Sequence, residues 1–81
     1  MENFRDGLIA TKNLEYLDLS MTLIDNLHIA LEGLEKNKSL KYLNLTSCKL
    51  PPNSVTYISQ NILVNPNLRV VKLKNNPLFY K

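Results

Sequence analysis

The sequence predicts an α/β fold in which three short parallel strands lie side by side and helices return across one face of them. Three observations predict it. One leucine-spaced phrase occurs three times along the 81 residues. Between its copies, apolar residues recur at helical rather than alternating spacing. Each intervening segment then closes on a similar asparagine-containing phrase, Asn37-Lys38-Ser39-Leu40 and Asn65-Pro66-Asn67-Leu68. A strand, a crossover helix and a second strand in the same direction is the pattern that parallel pairing requires.

The elements follow in order over a single domain, residues 1–81. Residues 1–13 read as a helix of a partial repeat, with Phe4, Leu8 and Ile9 apolar, ending at Thr11-Lys12-Asn13. The next unit, 14–39, opens with Leu14-Glu15-Tyr16-Leu17-Asp18-Leu19-Ser20-Met21-Thr22-Leu23-Ile24. Its helix carries Leu27, Ala30, Leu31 and Leu34, with Asp25 or Asn26 as N-cap. The unit 40–67 opens with Leu40-Lys41-Tyr42-Leu43-Asn44-Leu45-Thr46-Ser47-Cys48-Lys49-Leu50. Its helix is set by Val55, Ile58, Ile62 and Leu63; Pro51-Pro52 opens it and Asn53 or Ser54 caps it. The partial unit 68–81 carries Leu68, Val71, Leu73, Asn76 and Leu78. Within each strand, period two sends Leu43 and Leu45 inward and Tyr42, Asn44 and Thr46 outward.

These three phrases fit L-x-x-L-x-L-x-x-(N/C/T)-x-L, and the chain thereby resembles the leucine-rich repeat family. The long repeat with a helix in each unit is similar to the ribonuclease-inhibitor-like subclass, shared with Ran GTPase-activating proteins and Nod-like receptors. The resemblance implies a short leucine-rich-repeat solenoid, with the three parallel strands on a concave face and the helices on the convex face. It also implies that the concave face binds a protein partner, and that Cys48 and Asn76 are turn residues bonded to backbone.

Outward positions on neighbouring strands form ladders about 4.8 Å apart. The candidate binding face is Tyr16, Tyr42 and Val70, then Asp18, Asn44 and Lys72, then Ser20, Thr46 and Lys74, with Glu15, Lys41 and Arg69 along a rim. Tyrosine in such a patch suits protein recognition. Charge runs the same way. All seven acids precede residue 36, whereas residues 41–81 hold six bases and no acid. Leu78, Phe79 and Tyr80 form a candidate apolar C-terminal edge. With neither end visibly capped, three arrangements account for the open ends: a piece of a longer array, a subunit docking its ends on a larger complex, or head-to-tail self-association.

The sequence points away from catalysis. It holds no acid–base pair, triad, metal cluster or Gly-rich phosphate loop, so no cofactor and no metal are expected. Cys48 is the single cysteine, which excludes an intramolecular disulfide. His28 follows Leu27 on a helix and reads as solvent-facing. No stretch is long and apolar enough for membrane insertion, and Met1–Asp6 lacks the apolar core of a signal peptide. An intracellular, cytoplasmic location follows, with an organellar or ciliary assembly not separated from it; the sequons at Asn37 and Asn44 are then idle. Two alternatives are kept beside the non-catalytic interaction module. One is regulation of a small GTPase, implied by similarity to the Ran activator repeats. The other is ribonucleoprotein or RNA association through Lys41, Lys49, Arg69, Lys72, Lys74 and Lys81. The second is weakened because these bases are thinly spread and include one arginine.

Overall fold

Leucine spacing and turn chemistry account for most of the elements that form. The computed structural model describes residues 2–24 and 26–77. Helix α1 spans Glu2–Ala10 and leads into strand β1, Tyr16–Asp18. Helix α2, Leu27–Lys36, buries Ala30, Leu31, Gly33 and Leu34. Asn26 stands at its N-cap in the left-handed region, φ 51°, and makes no side-chain cap. Its carbonyl instead accepts from the N–H groups of Ile29 and Ala30, at 2.9 and 3.3 Å. Strand β2 is Tyr42–Asn44 and β3 is Val70–Lys72. Asp25, the other cap expected, and the apolar edge Leu78, Phe79 and Tyr80 lie outside the described residues.

The segment expected as one helix from Pro51 onward is instead three different turns. A 3₁₀ turn covers Pro52–Ser54, one α-helical turn, α3, covers Val55–Tyr57, and a π-helical turn covers Ile58–Ile62. Neither Asn53 nor Ser54 caps it through a side chain; the Ser54 hydroxyl donates to Pro51 O at 2.7 Å. The π turn is closed by Leu63 N–H donating to Ile58 O at 2.9 Å. Ile58 and Ile62, four residues apart, both lie in the core, at 1% and 0% exposure, and Leu63 is exposed.

The strands form one parallel sheet in the order β1-β2-β3. The sheet is flat and uncurled. That corrects the expected ribonuclease-inhibitor-like, leucine-rich-repeat solenoid: there is no horseshoe and hence no concave or convex surface, and the chain is an α/β globular domain. Two features explain the flatness. Curvature builds up strand by strand and needs a helix layer spaced more widely than the sheet. Here there are three strands of three residues each. Gly33 also removes the side chain that would wedge α2 away from α1: a Cβ there would stand 3.0 Å from Arg5 Cα.

The core lies under β2. Leu40, Leu43, Leu45 and Leu50 are at most 1% exposed, joined by Leu8, Leu31, Leu34, Ile58 and Ile62. Each such side chain contributes roughly 1.5–3 kcal/mol. Leu17 and Leu19 at one edge, and Val71 and Leu73 at the other, are only partly buried.

Candidate functional site

Strand register assembles the candidate face. Tyr16 lies opposite Tyr42, and Asp18 opposite Asn44; Tyr42 lies opposite Val70, and Asn44 opposite Lys72. The outward ladders inferred from the phrases are thus adjacent side chains, on a flat face rather than a concave one. Beyond the strands the backbone keeps step, Met21 N–H donating to Thr46 O at 2.8 Å and Ser47 N–H to Lys74 O at 2.9 Å. Ser20, Thr46 and Lys74 therefore continue the same surface. At the rim, Lys41 Nζ sits 3.3 Å from Glu15 Oε2. Arg69 is exposed, its N–H donating to Lys41 O at 2.9 Å.

The two tyrosine rings stack in parallel, 4.1 Å between centroids and 3° between planes. Lys72 Nζ approaches the Tyr42 ring at 5.5 Å, a cation–π contact. Each ring occupies one face of its neighbour, which leaves the outer face of Tyr16, the hydroxyl edges and Val70 for a partner. Tyr16 is 58% exposed and Val70 43%. The Lys72 ammonium, then hydrogen bonding with Tyr16, draws the Tyr42 hydroxyl below its ordinary range. Hydrogen bonding with Tyr42, followed by partial desolvation, pushes Tyr16 up.

Asp18 and Asn44 each fold a side-chain oxygen onto the turn after their strand. Asp18 Oδ1 accepts from Ser20 N–H at 2.8 Å, and Asn44 Oδ1 accepts from Thr46 N–H at 3.0 Å. The Asp18 carboxyl is held below the ordinary range by hydrogen bonds from Ser20, with the positive charge of Lys72 adding to them. The sheet face therefore has a negative end at β1, a neutral centre and a positive end at β3, with Asp18 and Asn44 tied to the turns that follow their strands.

Past the C-terminal ends of the strands lies an open groove of about 570 Å³ between Ser20, Met21, Thr46, Ser47, Lys74 and Asn75. Its floor is built by three non-glycine residues in the left-handed region: Met21 at φ 61°, Ser47 at 57° and Asn75 at 59°. Sequence reasoning missed this recurrence because three unlike residues hold the position and none is glycine. It also missed that Met21 and Leu23 are 84% and 71% exposed. A second cleft, of about 370 Å³, lies on the helix side between Leu27, His28, Leu31, Pro51, Asn53 and Tyr57. His28 is solvent-facing there, as expected.

Cys48 is a buried, free thiol. Its Sγ donates to Leu19 O at 2.9 Å, and burial pushes its pKa up, which is the opposite of what a nucleophile needs. Among the described residues no group of three His, Cys, Asp or Glu side chains is placed to hold a metal ion. No helix among them is long and apolar enough to cross a membrane.

Flat parallel sheet, helical cover and exposed tyrosine face define a small α/β domain with an open sheet surface. Comparison with protein-family models, with curated proteins and with solved structures finds no match for this chain. The likeness to leucine-rich repeats therefore stays at the spacing of its leucines and does not make the chain a member of that family.

Proposed function

We propose that this chain is a non-catalytic protein-interaction module whose working surface is the open sheet face around Tyr16 and Tyr42. The stacked pair, with Tyr16 exposed, Tyr42 half-buried and Lys72 against it, carries the reading. A solvent-facing aromatic pair at the centre of a sheet costs hydration of apolar area, which a protein partner would recover. Asp18 at one end and Lys72 at the other would orient that partner by charge. The face suits a polypeptide better than single-stranded RNA. Base stacking needs free ring faces, and one face of Tyr16 is all that the stack leaves open. We also infer an intracellular location, in which the free Cys48 thiol would stay reduced.

The test is a photo-cross-linking residue at position 16, with the same residue at Thr56 on the helix side as control. A discrete adduct from position 16 alone identifies the partner by mass. Calorimetry on the purified pair should then show Tyr42→Ala weakening binding by about thirtyfold or more, as a hot-spot residue does. Equal labelling from both positions, or unchanged affinity in Tyr42→Ala with the fold intact, would sink the reading.

A further inference from the structure

We propose that this chain assembles head to tail with copies of itself, β3 of one copy pairing in parallel with β1 of the next. This goes beyond the reading of the tyrosine face: Val70 of one copy would lie against the outer face of Tyr16 of the next, as it lies opposite Tyr42 within the chain, so assembly and partner binding would compete for those two residues.

Backbone polarity is the first ground. Toward β2, the first strand turns the carbonyl of Glu15, which accepts from Lys41 and Tyr42 N–H at 2.8 and 3.0 Å, and the N–H of Leu19, which donates to Asn44 O at 2.9 Å. Toward β3, the second strand presents the same set one unit on. Lys41 O accepts from Arg69 and Val70 N–H at 2.9 and 3.1 Å, and Leu45 N–H donates to Lys72 O at 2.8 Å. Strand alternation then turns Arg69 C=O and Leu73 N–H outward on the far side of β3. On the outer side of β1 it leaves Tyr16 N–H and Asp18 C=O. Each outer edge is the donor–acceptor complement of the other, by the step that already built the sheet.

Side-chain hooks are the second ground. Ser39 Oγ donates back to Leu14 O at 2.6 Å, and Asn67 Nδ2 does the same to Leu40 O at 2.6 Å. Cys48 Sγ reaches Leu19 O at 2.9 Å and Asn76 Nδ2 reaches Leu45 O at 2.8 Å. Around each of β1 and β2, then, two polar side chains from later in the chain grip the carbonyls that flank the strand. Asn13 and Thr22 hold the matching positions on either side of β1 and are exposed, and among the described residues no strand precedes β1 in the sheet. In a following copy they would meet Leu68 O and Leu73 O.

Charge is the third. The rim position forms an ion pair across one strand step, Lys41 with Glu15 at 3.3 Å. The same step across the junction sets Arg69 against Glu15 of the next copy, and Lys72 against its Asp18. Burial agrees: Leu43 in the centre is 0% exposed, whereas its edge counterparts Leu17 and Val71 are only partly buried. The contact joins unlike edges, so it does not close on itself and gives growing chains rather than a dimer.

Sedimentation of the 81-residue protein from micromolar to millimolar concentration, at low and high salt, tests this. The expected result is a mass that climbs with concentration and falls back as salt screens the edge charges. Asp18→Lys and Lys72→Asp should each raise the concentration for half-assembly by about tenfold, from like charges meeting at the junction. An equimolar mixture of the two variants should recover assembly, because every junction then pairs opposite charges. If either variant unfolds, Glu15→Lys and Arg69→Glu, at exposed rim positions, carry the same mixing test. A monomer at millimolar concentration would overturn the proposal, and so would assembly indifferent to both reversals or single variants whose mixture stays monomeric.

Discussion

Asn76 shows how much one side chain contributes to this fold. Its Oδ1 accepts from the backbone N–H groups of Cys48 and Leu50, at 2.9 and 3.1 Å. Its Nδ2 donates to Leu45 O and Leu73 O, at 2.8 and 3.0 Å. Asn37 works the same way, donating to Leu8 O and accepting from Ser39 and Leu40 N–H. Both are buried, at 6% and 0% exposure. Truncation strands backbone groups without water, at about 1–3 kcal/mol each. Asn76→Ala is therefore expected to lose about 2–4 kcal/mol in urea denaturation. Asn76→Asp should not restore it, because a carboxylate can accept from Cys48 and Leu50 but cannot donate to Leu45 O. The resemblance to leucine-rich repeats implied that Asn76 and Cys48 are turn residues bonded to backbone. It did not show that both reach back to the preceding strand, because a phrase read within one unit holds no information on neighbours. The abundance of asparagine, eleven residues, has the same explanation in part: Asn37, Asn65 and Asn76 bridge units through backbone carbonyls, and Asn67 ties the end of its unit to the start at Leu40 O. Tyr57 gives a second residue-scale prediction. Burial, and then the hydrogen bond to Glu35, push its hydroxyl up to about 12. The folded state therefore holds this proton where the unfolded chain, near 10, has released it. Its contribution to stability is complete below pH 10 and is lost as pH rises toward 12. Tyr57→Phe should remove that alkaline slope from the pH dependence of the urea midpoint.

At the scale of elements, the two connecting segments differ in how far pattern alone describes them. In α2 the leucine spacing predicted the buried stripe of Ala30, Leu31 and Leu34 that forms. The Pro51–Asn67 segment carries a spacing that also reads as helix. Yet Pro52, Val55, Thr56 and Ile58 are poor interior helix residues, and the Asn61 side chain competes for Tyr57 O at 3.1 Å. The path that forms mixes 3₁₀, α and π turns, which no single period encodes. The glycines separate local from tertiary demand within helices. A Cβ on Gly7 meets nothing within 4 Å, whereas on Gly33 it would meet Arg5 backbone at 3.0 Å and Leu8 at 3.2 Å. Gly7→Ala should accordingly raise the melting temperature of the dilute protein, worth about 0.8–1 kcal/mol from helix propensity. Gly33→Ala should lower it, since the obstacle is main chain and α2 must back away from α1.

For the molecule as a whole, the asymmetry of charge and the asymmetry of edges coincide. The acidic residues Glu15 and Asp18 stand at the β1 side and the basic residues Arg69, Lys72 and Lys74 at the β3 side, so the sheet carries a charge gradient along its own stacking direction. Such a gradient steers association more than it stabilises the fold. A partner across the face and a second copy along the sheet would meet at Tyr16 and Val70, which stand on the two edge strands. Most of the candidate face was legible beforehand, because in-step phrases place equal positions opposite one another. Tyr16 with Tyr42, and Asp18, Asn44 and Lys72, are ladders in the sheet as the alignment requires. The stack between the rings and the approach of Lys72 to Tyr42 were not legible, since rotamers answer to neighbours rather than to spacing.

Periodicity was enough to establish the three short strands, the order of helix and strand, the inward leucines and the outward ladders, because each follows from which atoms must leave water and how often they recur. The curvature of the sheet, the break in the Pro51–Asn67 helix, the left-handed turns at Met21, Ser47 and Asn75, and the grip of Asn37 and Asn76 on earlier strands were decided in three dimensions. Those depend on how closely layers approach and where buried carbonyls find donors. These are contacts between units, and a leucine count within each unit is the same whether the sheet curls or lies flat.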